Sequence, residues 1–115
     1  MSSGDFPGIK KCLELVCSDD PMTFEDGYHL LLPRVGEYVV QISEALKEER
    51  NPSNQAKLIE LLGECEDETL VPLLTGFLNS ESGDIVSWSL TALEKTAAGT
   101  KVAKKFRQEN PEWAE

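Results

Sequence analysis

An all-α fold is predicted for this chain: a right-handed α-solenoid of about three helical hairpins followed by a C-terminal capping helix. Residues 37–62 and 68–93 each contain an apolar helix, a polar loop and a second apolar helix, and the pattern recurs about every 31 residues. A fainter copy lies upstream, where Gly27–Leu31 takes the place that Leu58–Leu62 has in the next copy. A single hairpin cannot bury its apolar face without a neighbour, so a hairpin that recurs at a fixed period predicts a stack.

The whole chain is expected to form one domain, because 115 residues is a typical length for a single domain. The predicted parts are a first repeat at about 6–33, a second at about 36–65, a third at about 68–95 and a capping helix at about 97–109.

Three motifs carry a resemblance to a known family: V-P-L-L at 71–74, L-L-G-E at 61–64 and S-W-S-L-T-A-L-E at 87–94. Over roughly residues 9–106, the chain resembles the short HEAT-like repeats of bacterial proteins, the PBS-lyase-type HEAT family. The resemblance implies a stack whose second helices line a concave binding face. It implies no particular activity, because such repeats serve as scaffolds for many functions.

The first hairpin is predicted from two apolar stripes that a Ser-Asp-Asp-Pro sequence separates. Asp5 is a possible cap for the first helix, Pro7 fits its first turn, and Pro33 ends the second helix. Gly27 inside a helix costs roughly 1 kcal/mol relative to alanine, so its presence predicts a helix contact too tight for a side chain. The stripes are Ile9, Cys12, Leu13 and Val16, then Phe24, Tyr28 and Leu31.

The second hairpin is expected to be the middle layer of the stack. Ser53 is a candidate cap for its second helix, and the apolar positions of that helix cover more than one narrow stripe. A helix that is apolar over such an arc contacts neighbours on two sides. The buried positions are predicted to be Val39, Ile42, Ala45 and Leu46, then Leu58, Ile59, Leu61, Leu62 and Cys65.

The third hairpin has Pro72 in the first turn of its first helix, and Asp84 is expected to cap its second helix. Val86 and Trp88 are predicted to point partly outward. The inward positions of the second helix are expected to be Ile85, Ser89, Ala92 and Leu93.

The last segment differs in charge from the rest of the chain. Residues 1–94 carry 18 acidic and 6 basic side chains, whereas residues 95–115 carry 3 and 5. Thr96 or Thr100 is expected to cap a final helix, and Trp113 is expected to fold back over the end of the stack. Two alternatives stay open for the outer side of this helix: it only caps the stack, or it also binds a partner. Its basic residues are Lys101, Lys104, Lys105 and Arg107.

Composition excludes several classes of function. The net charge of −10 argues against binding to nucleic acid or to an anionic membrane, and it favours a basic protein partner. No secretory signal or membrane span is expected, and the three cysteines lack the spacing of a metal site, so a reducing cytoplasm fits best. No cofactor is expected.

No catalytic motif is present in the sequence, and His29 is the single histidine. We therefore expect a protein that is not an enzyme; an enzyme on the same repeats, such as a chromophore lyase, would need catalytic residues that the sequence does not offer.

What remains is a binding surface on the second helices, with the exposed Trp88 as its candidate hot spot; the alternative for Trp88 is packing against the last helix. The predicted partner-binding residues are Asp26, His29, Lys57, Glu60, Glu64, Val86, Trp88 and Thr91, accompanied by Thr23 and Asn54.

Two functions are compatible with this surface: an acidic immunity or inhibitor protein that blocks a basic partner such as a bacterial toxin, or a general scaffold or assembly adaptor. The chain would be a monomer or a weak homodimer.

Overall fold

The protein is all-helical in the computed structural model, which describes residues 6–114. Within these residues there are seven α-helices, three short 3-10 segments and no strand. The α-helices are α1 (Ile9–Val16), α2 (Pro21–Leu31), α3 (Val39–Glu48), α4 (Pro52–Gly63), α5 (Val71–Phe77), α6 (Gly83–Leu93) and α7 (Ala97–Glu109). The 3-10 segments are Leu32–Glu37, Glu68–Leu70 and Pro111–Trp113. The prediction of an all-α fold is confirmed.

The helices pack in consecutive pairs: α1 contacts α2, α3 contacts α4, and α5 contacts α6. The most extensive contact between different pairs joins α4 to α6, and α7 packs against α6 and α5. The molecule is elongated, with principal extents of 52 × 26 × 24 Å. The described elements therefore form an extended body.

The core is centred on α4, as the wide apolar arc of this helix predicts. Leu58, Ile59, Leu61 and Leu62 all have no exposed surface. At 3.6 residues per turn these side chains cover an arc of about 160°, and α4 contacts α3 on one side and α6 on another. A helix with neighbours on two sides needs apolar residues facing both of them.

The helix starts differ in part from the predicted caps. Asn51, not Ser53, caps α4: its side-chain oxygen accepts hydrogen bonds from the backbone N–H groups of Ser53 and Asn54, at 2.8 and 3.2 Å. Ser53 lies inside the helix because Pro52 already holds the first helical position. Thr96 caps α7, through the N–H of Gly99.

Asp84 is likewise not the cap of α6. The Ser82 hydroxyl accepts from the N–H of Ile85, and Asp84 lies in the first turn, where the helix dipole favours a carboxylate. In the first hairpin, α1 begins at Ile9 after Gly8, so Pro7 precedes the helix instead of lying in its first turn. The predicted cap Asp5 lies outside the described residues.

Gly27 lies at a close helix contact, as its position predicts. A Cβ atom on Gly27 would approach the Cβ of Leu15 to 2.6 Å and the backbone nitrogen of Val16 to 2.9 Å. These distances are shorter than any ordinary carbon contact, so α2 can approach α1 this closely only with glycine at this position.

Trp113 folds back onto the body of the protein, as predicted. It is half-buried in the final 3-10 segment, and its carbonyl oxygen accepts a hydrogen bond of 2.6 Å from Nη1 of Arg107. Arg107 also reaches the Glu94 carboxylate at 3.2 Å. Arg107 is therefore engaged within the fold, whereas Lys101, Lys104 and Lys105 are exposed.

Candidate functional site

The predicted binding residues lie on α2, α4 and α6, except for Glu64, which directly follows α4; we call this surface the second-helix face. Their exposure differs from one residue to the next. Asp26, His29, Glu64, Trp88 and Thr91 are exposed, and the accompanying Thr23 and Asn54 are half-buried together with Lys57 and Glu60. Val86 is buried.

The prediction for Val86 is wrong, because the sequence predicts that this side chain points partly outward. The side chain is 3% exposed. α6 packs against α4, α5 and α7. Because its apolar surface faces three neighbouring helices, this surface is wide enough to include Val86. Val86 belongs to the core and is not available to a partner.

Lys57 is half-buried and therefore less available to a partner than a predicted partner-binding residue should be. Its Nζ donates a hydrogen bond of 2.9 Å to the carbonyl oxygen of Ser18 and lies 5.0 Å from the centre of the Phe24 ring. The ammonium group thus satisfies a carbonyl oxygen just beyond the end of α1. Lys57 connects the first hairpin to α4, and this role explains why it is half-buried.

Trp88 is 37% exposed, and its ring lines a crevice between α4 and α6. The void in this crevice is about 20 Å³. The two helices are close here, since a Cβ on Gly63 would stand 3.1 Å from the Cβ of Ala92. The polar and charged side chains around the crevice are Glu60, Glu64, Thr91 and Lys95.

Glu60 on α4 and Tyr28 on α2 lie near enough on the same face to shift each other's pKa. Burial raises the pKa of Glu60, the neighbouring Tyr28 hydroxyl lowers it, and the charge of Glu64 raises it further. Burial, followed by the charge of Glu60, raises the pKa of Tyr28 to about 12. Sequence reasoning placed Tyr28 in the core and missed its polar partner, because the repeat pattern gives no sign of which residues meet across two hairpins.

The carboxylates of this face are not neutralised within the described part of the chain. Between residues 6 and 114, the salt bridges are Lys47–Glu44 and Arg107–Glu94. Glu60, Glu64 and Asp26 therefore have no cationic nitrogen within 4.0 Å. The face presents negative charge around one exposed aromatic ring.

No group of three or more His, Cys, Asp or Glu side chains in residues 6–114 is placed to hold a metal ion. Burial raises the pKa of the Cys17 thiol and raises that of Cys65 to about 11, so both thiols stay protonated near neutral pH. His29 is exposed and meets the Tyr28 ring edge-on, with the ring centres 6.0 Å apart.

None of the described helices is both long enough and apolar enough to cross a bilayer. Comparisons with known protein families, with curated proteins and with solved structures each gave no match.

The ionisation of Tyr28 should report on the α2–α4 contact. Its folded pKa of about 12 lies above the ordinary value of 10.0, so the stability that it contributes is complete below about pH 10 and is lost as the pH rises through 12. We expect the tyrosinate absorbance that Tyr28→Phe removes to develop near pH 12 in the folded protein. Glu60→Gln should move this absorbance change toward pH 10, whereas the control Glu48→Gln on α3 should leave it in place. If the absorbance that Tyr28→Phe removes developed near pH 10 in the folded protein, the proximity of Tyr28 to Glu60 would be contradicted.

Proposed function

We propose that this chain is a non-enzymatic protein-binding module, built as a right-handed α-solenoid of HEAT-like hairpins, which binds a basic protein through its second-helix face. The observation that carries the proposal is Trp88. A large aromatic side chain, 37% exposed beside two carboxylates without cationic partners, has the composition of an interface hot spot.

The packing of the two layers of helices supports a concave second-helix face. α4 and α6 are in extensive contact, and the void between them is about 20 Å³. On the opposite side, grooves of about 430, 270 and 320 Å³ separate α1 from α3, α3 from α5 and α5 from α7. When neighbouring helices are closer together in one layer than in the other, the stack curves and the closely packed layer lies on the concave side. The concave surface of such a stack is its usual binding surface.

The charge of the chain supports a basic partner. A net charge of −10 accelerates association with a positively charged protein and disfavours acidic ones. An immunity or inhibitor protein that acts in the cytoplasm on a basic bacterial toxin has these properties: a small acidic body, no catalytic machinery and one dedicated binding face. In this proposal, the chain blocks its partner by occupying the partner's basic surface.

The test is capture of the partner by purified wild-type protein and by the double variant Trp88→Ala, Glu60→Lys, from a lysate of the organism of origin. A matched control on α3, Val40→Ala with Glu48→Lys, makes the same kind of change on the opposite side, where Val40 is 70% exposed. We expect one basic protein to be held by the wild type and the control and to be lost by the double variant. The purified pair should form a complex whose association rate falls as salt rises.

Equal capture by the double variant would contradict binding through the second-helix face, provided that circular dichroism shows the variant to be folded. Loss of capture by the α3 control alone would assign binding to the other side of the molecule.

A scaffold or assembly adaptor is the second candidate function. It is favoured by Lys101, Lys104 and Lys105, which are exposed on α7 and have no carboxylate within 4.0 Å in the described part of the chain. These lysines could pair with the acidic face of another copy, which would give a head-to-tail assembly.

A further inference from the structure

We propose that the crevice between α4 and α6 binds an arginine side chain of the partner, with its guanidinium stacked on Trp88 and paired with Glu60 and Glu64. This inference rests on the proposed function, because it names the group by which a basic protein is held on the second-helix face. It is a narrower statement, and it can fail while the face itself remains the binding surface.

The charges at the crevice favour a cation with several donors. Glu60 lies in the last turn of α4, and Glu64 follows the helix directly with helical backbone angles. The two residues are four apart, so they lie on the same side of the helix, and both border the crevice. Burial already raises the pKa of Glu60, which means that its charge is less well solvated than that of a free carboxylate. A bound cation stabilises the carboxylate charge that water solvates only in part. A guanidinium can donate hydrogen bonds to two carboxylates at once.

The size of the crevice excludes an apolar anchor. A void of about 20 Å³ holds roughly one water molecule, so neither an aromatic ring nor a leucine side chain can be buried there. The floor is closed where Gly63 meets Ala92. A ligand must therefore lie over Trp88 and not beneath it, and a flat guanidinium on an indole face satisfies this requirement.

Arginine fits this arrangement better than lysine. Both carry one positive charge, but the guanidinium is planar, stacks on tryptophan and presents donors in a fixed fork, whereas the ammonium is a compact and strongly hydrated point charge. Lys95 stands at the same crevice, and its charge opposes that of the arriving cation. Its replacement by glutamine should tighten binding about 2-fold, since the change removes one exposed repulsive charge.

The probes are three amidated tetrapeptides: tetra-arginine, tetra-lysine and tetra-citrulline, the last being the neutral analogue of the first. Binding to the full chain is followed by nuclear magnetic resonance, with the backbone amides of α4 and α6 as reporters, because these are present in the wild type and in every variant. We expect tetra-arginine to bind about 3-fold more tightly than tetra-lysine, the gain typical of an exposed cation–π contact, and tetra-citrulline not to saturate.

The variants separate the two parts of the site. Trp88→Leu should abolish the preference for arginine over lysine while it leaves weak binding to both peptides. Glu60→Gln with Glu64→Gln should weaken tetra-arginine binding about 10-fold, as expected for the loss of two charge-assisted contacts. Val40→Ala with Glu48→Gln, on the opposite side, should change neither value.

Equal affinity for arginine and lysine peptides, or an arginine preference that survives Trp88→Leu, would overturn the proposal. If those results occur while the captured partner still depends on Trp88 and Glu60, the face is correct and the arginine contact is wrong. If the crevice is instead covered by a second copy, sedimentation should show self-association that Lys101→Gln, Lys104→Gln and Lys105→Gln abolish together; that outcome would also overturn the proposal.

Discussion

Replacement of Gly99 by alanine is expected to destabilise the protein by about 2–3 kcal/mol, the cost of forcing a side chain into a filled space. A Cβ on Gly99 would overlap the carbonyl oxygen of Leu93 and stand 2.7 Å from its carbonyl carbon. The obstacle is backbone at the end of α6, which cannot rotate away as a flexible side chain can. The substitution should therefore push α7 away from α6 and weaken the N-terminal cap that Thr96 provides.

Gly76→Ala is the matched control. Gly76 lies inside α5, is exposed, and would place its Cβ in open space with no atom within 4 Å. Since alanine is the better helix former by about 1 kcal/mol, this change should leave stability unchanged or raise it. Urea unfolding of the two variants, followed by circular dichroism, measures both effects. Equal stability of Gly99→Ala and Gly76→Ala would show that α7 does not approach α6 as described.

Leu61→Ala should cost about 2–5 kcal/mol, the range for truncation of a fully buried leucine. Leu61 has no exposed surface and lies in α4, which contacts α3, α6 and α1. A cavity at this position removes contacts that several helices share, and they cannot all move inward to fill it. The loss should appear as a lower urea midpoint.

The control for Leu61→Ala is Val40→Ala, at a side chain that is 70% exposed on α3. A surface truncation of this kind is expected to change stability by no more than about 0.5 kcal/mol. If Leu61→Ala were as mild as Val40→Ala, α4 would not be the central helix of the core.

The order and the approximate bounds of the helices could be predicted from the sequence, because apolar residues at helical spacing alternate with helix breakers along the chain. The burial on both sides of α4 and the tight contact at Gly27 were also predictable. A helix with an unusually wide apolar arc has two neighbours, and a glycine inside a helix needs a packing reason.

The candidate site was less predictable, because it depends on contacts between hairpins. Val86 and Trp88 are two residues apart on α6, and periodicity alone gave both the same partly outward orientation; the packing of α6 against three helices buries the first and exposes part of the second. Lys57 has the sequence character of a surface residue, yet it bonds to the carbonyl of Ser18, a contact that spans 39 residues. The proximity of Tyr28 to Glu60 was not predicted for the same reason, because the two residues belong to different hairpins.

The residues that cap the helices could be predicted only in part. Asn51, Ser53, Ser82 and Asp84 are all residue types that can cap a helix, and two candidates stand within two residues of each other at each start. The position of the first helical residue decides between them, and sequence patterns locate that position to only about two residues.

The measurement that tests the central claim most directly is chemical-shift mapping of the labelled protein with its purified basic partner. We predict that the largest changes occur in the backbone amides of α4 and α6 and at the indole N–H of Trp88, with smaller changes along α2. Changes confined to α3 and α5, or to the lysines of α7, with Trp88 unaffected, would contradict binding through the second-helix face.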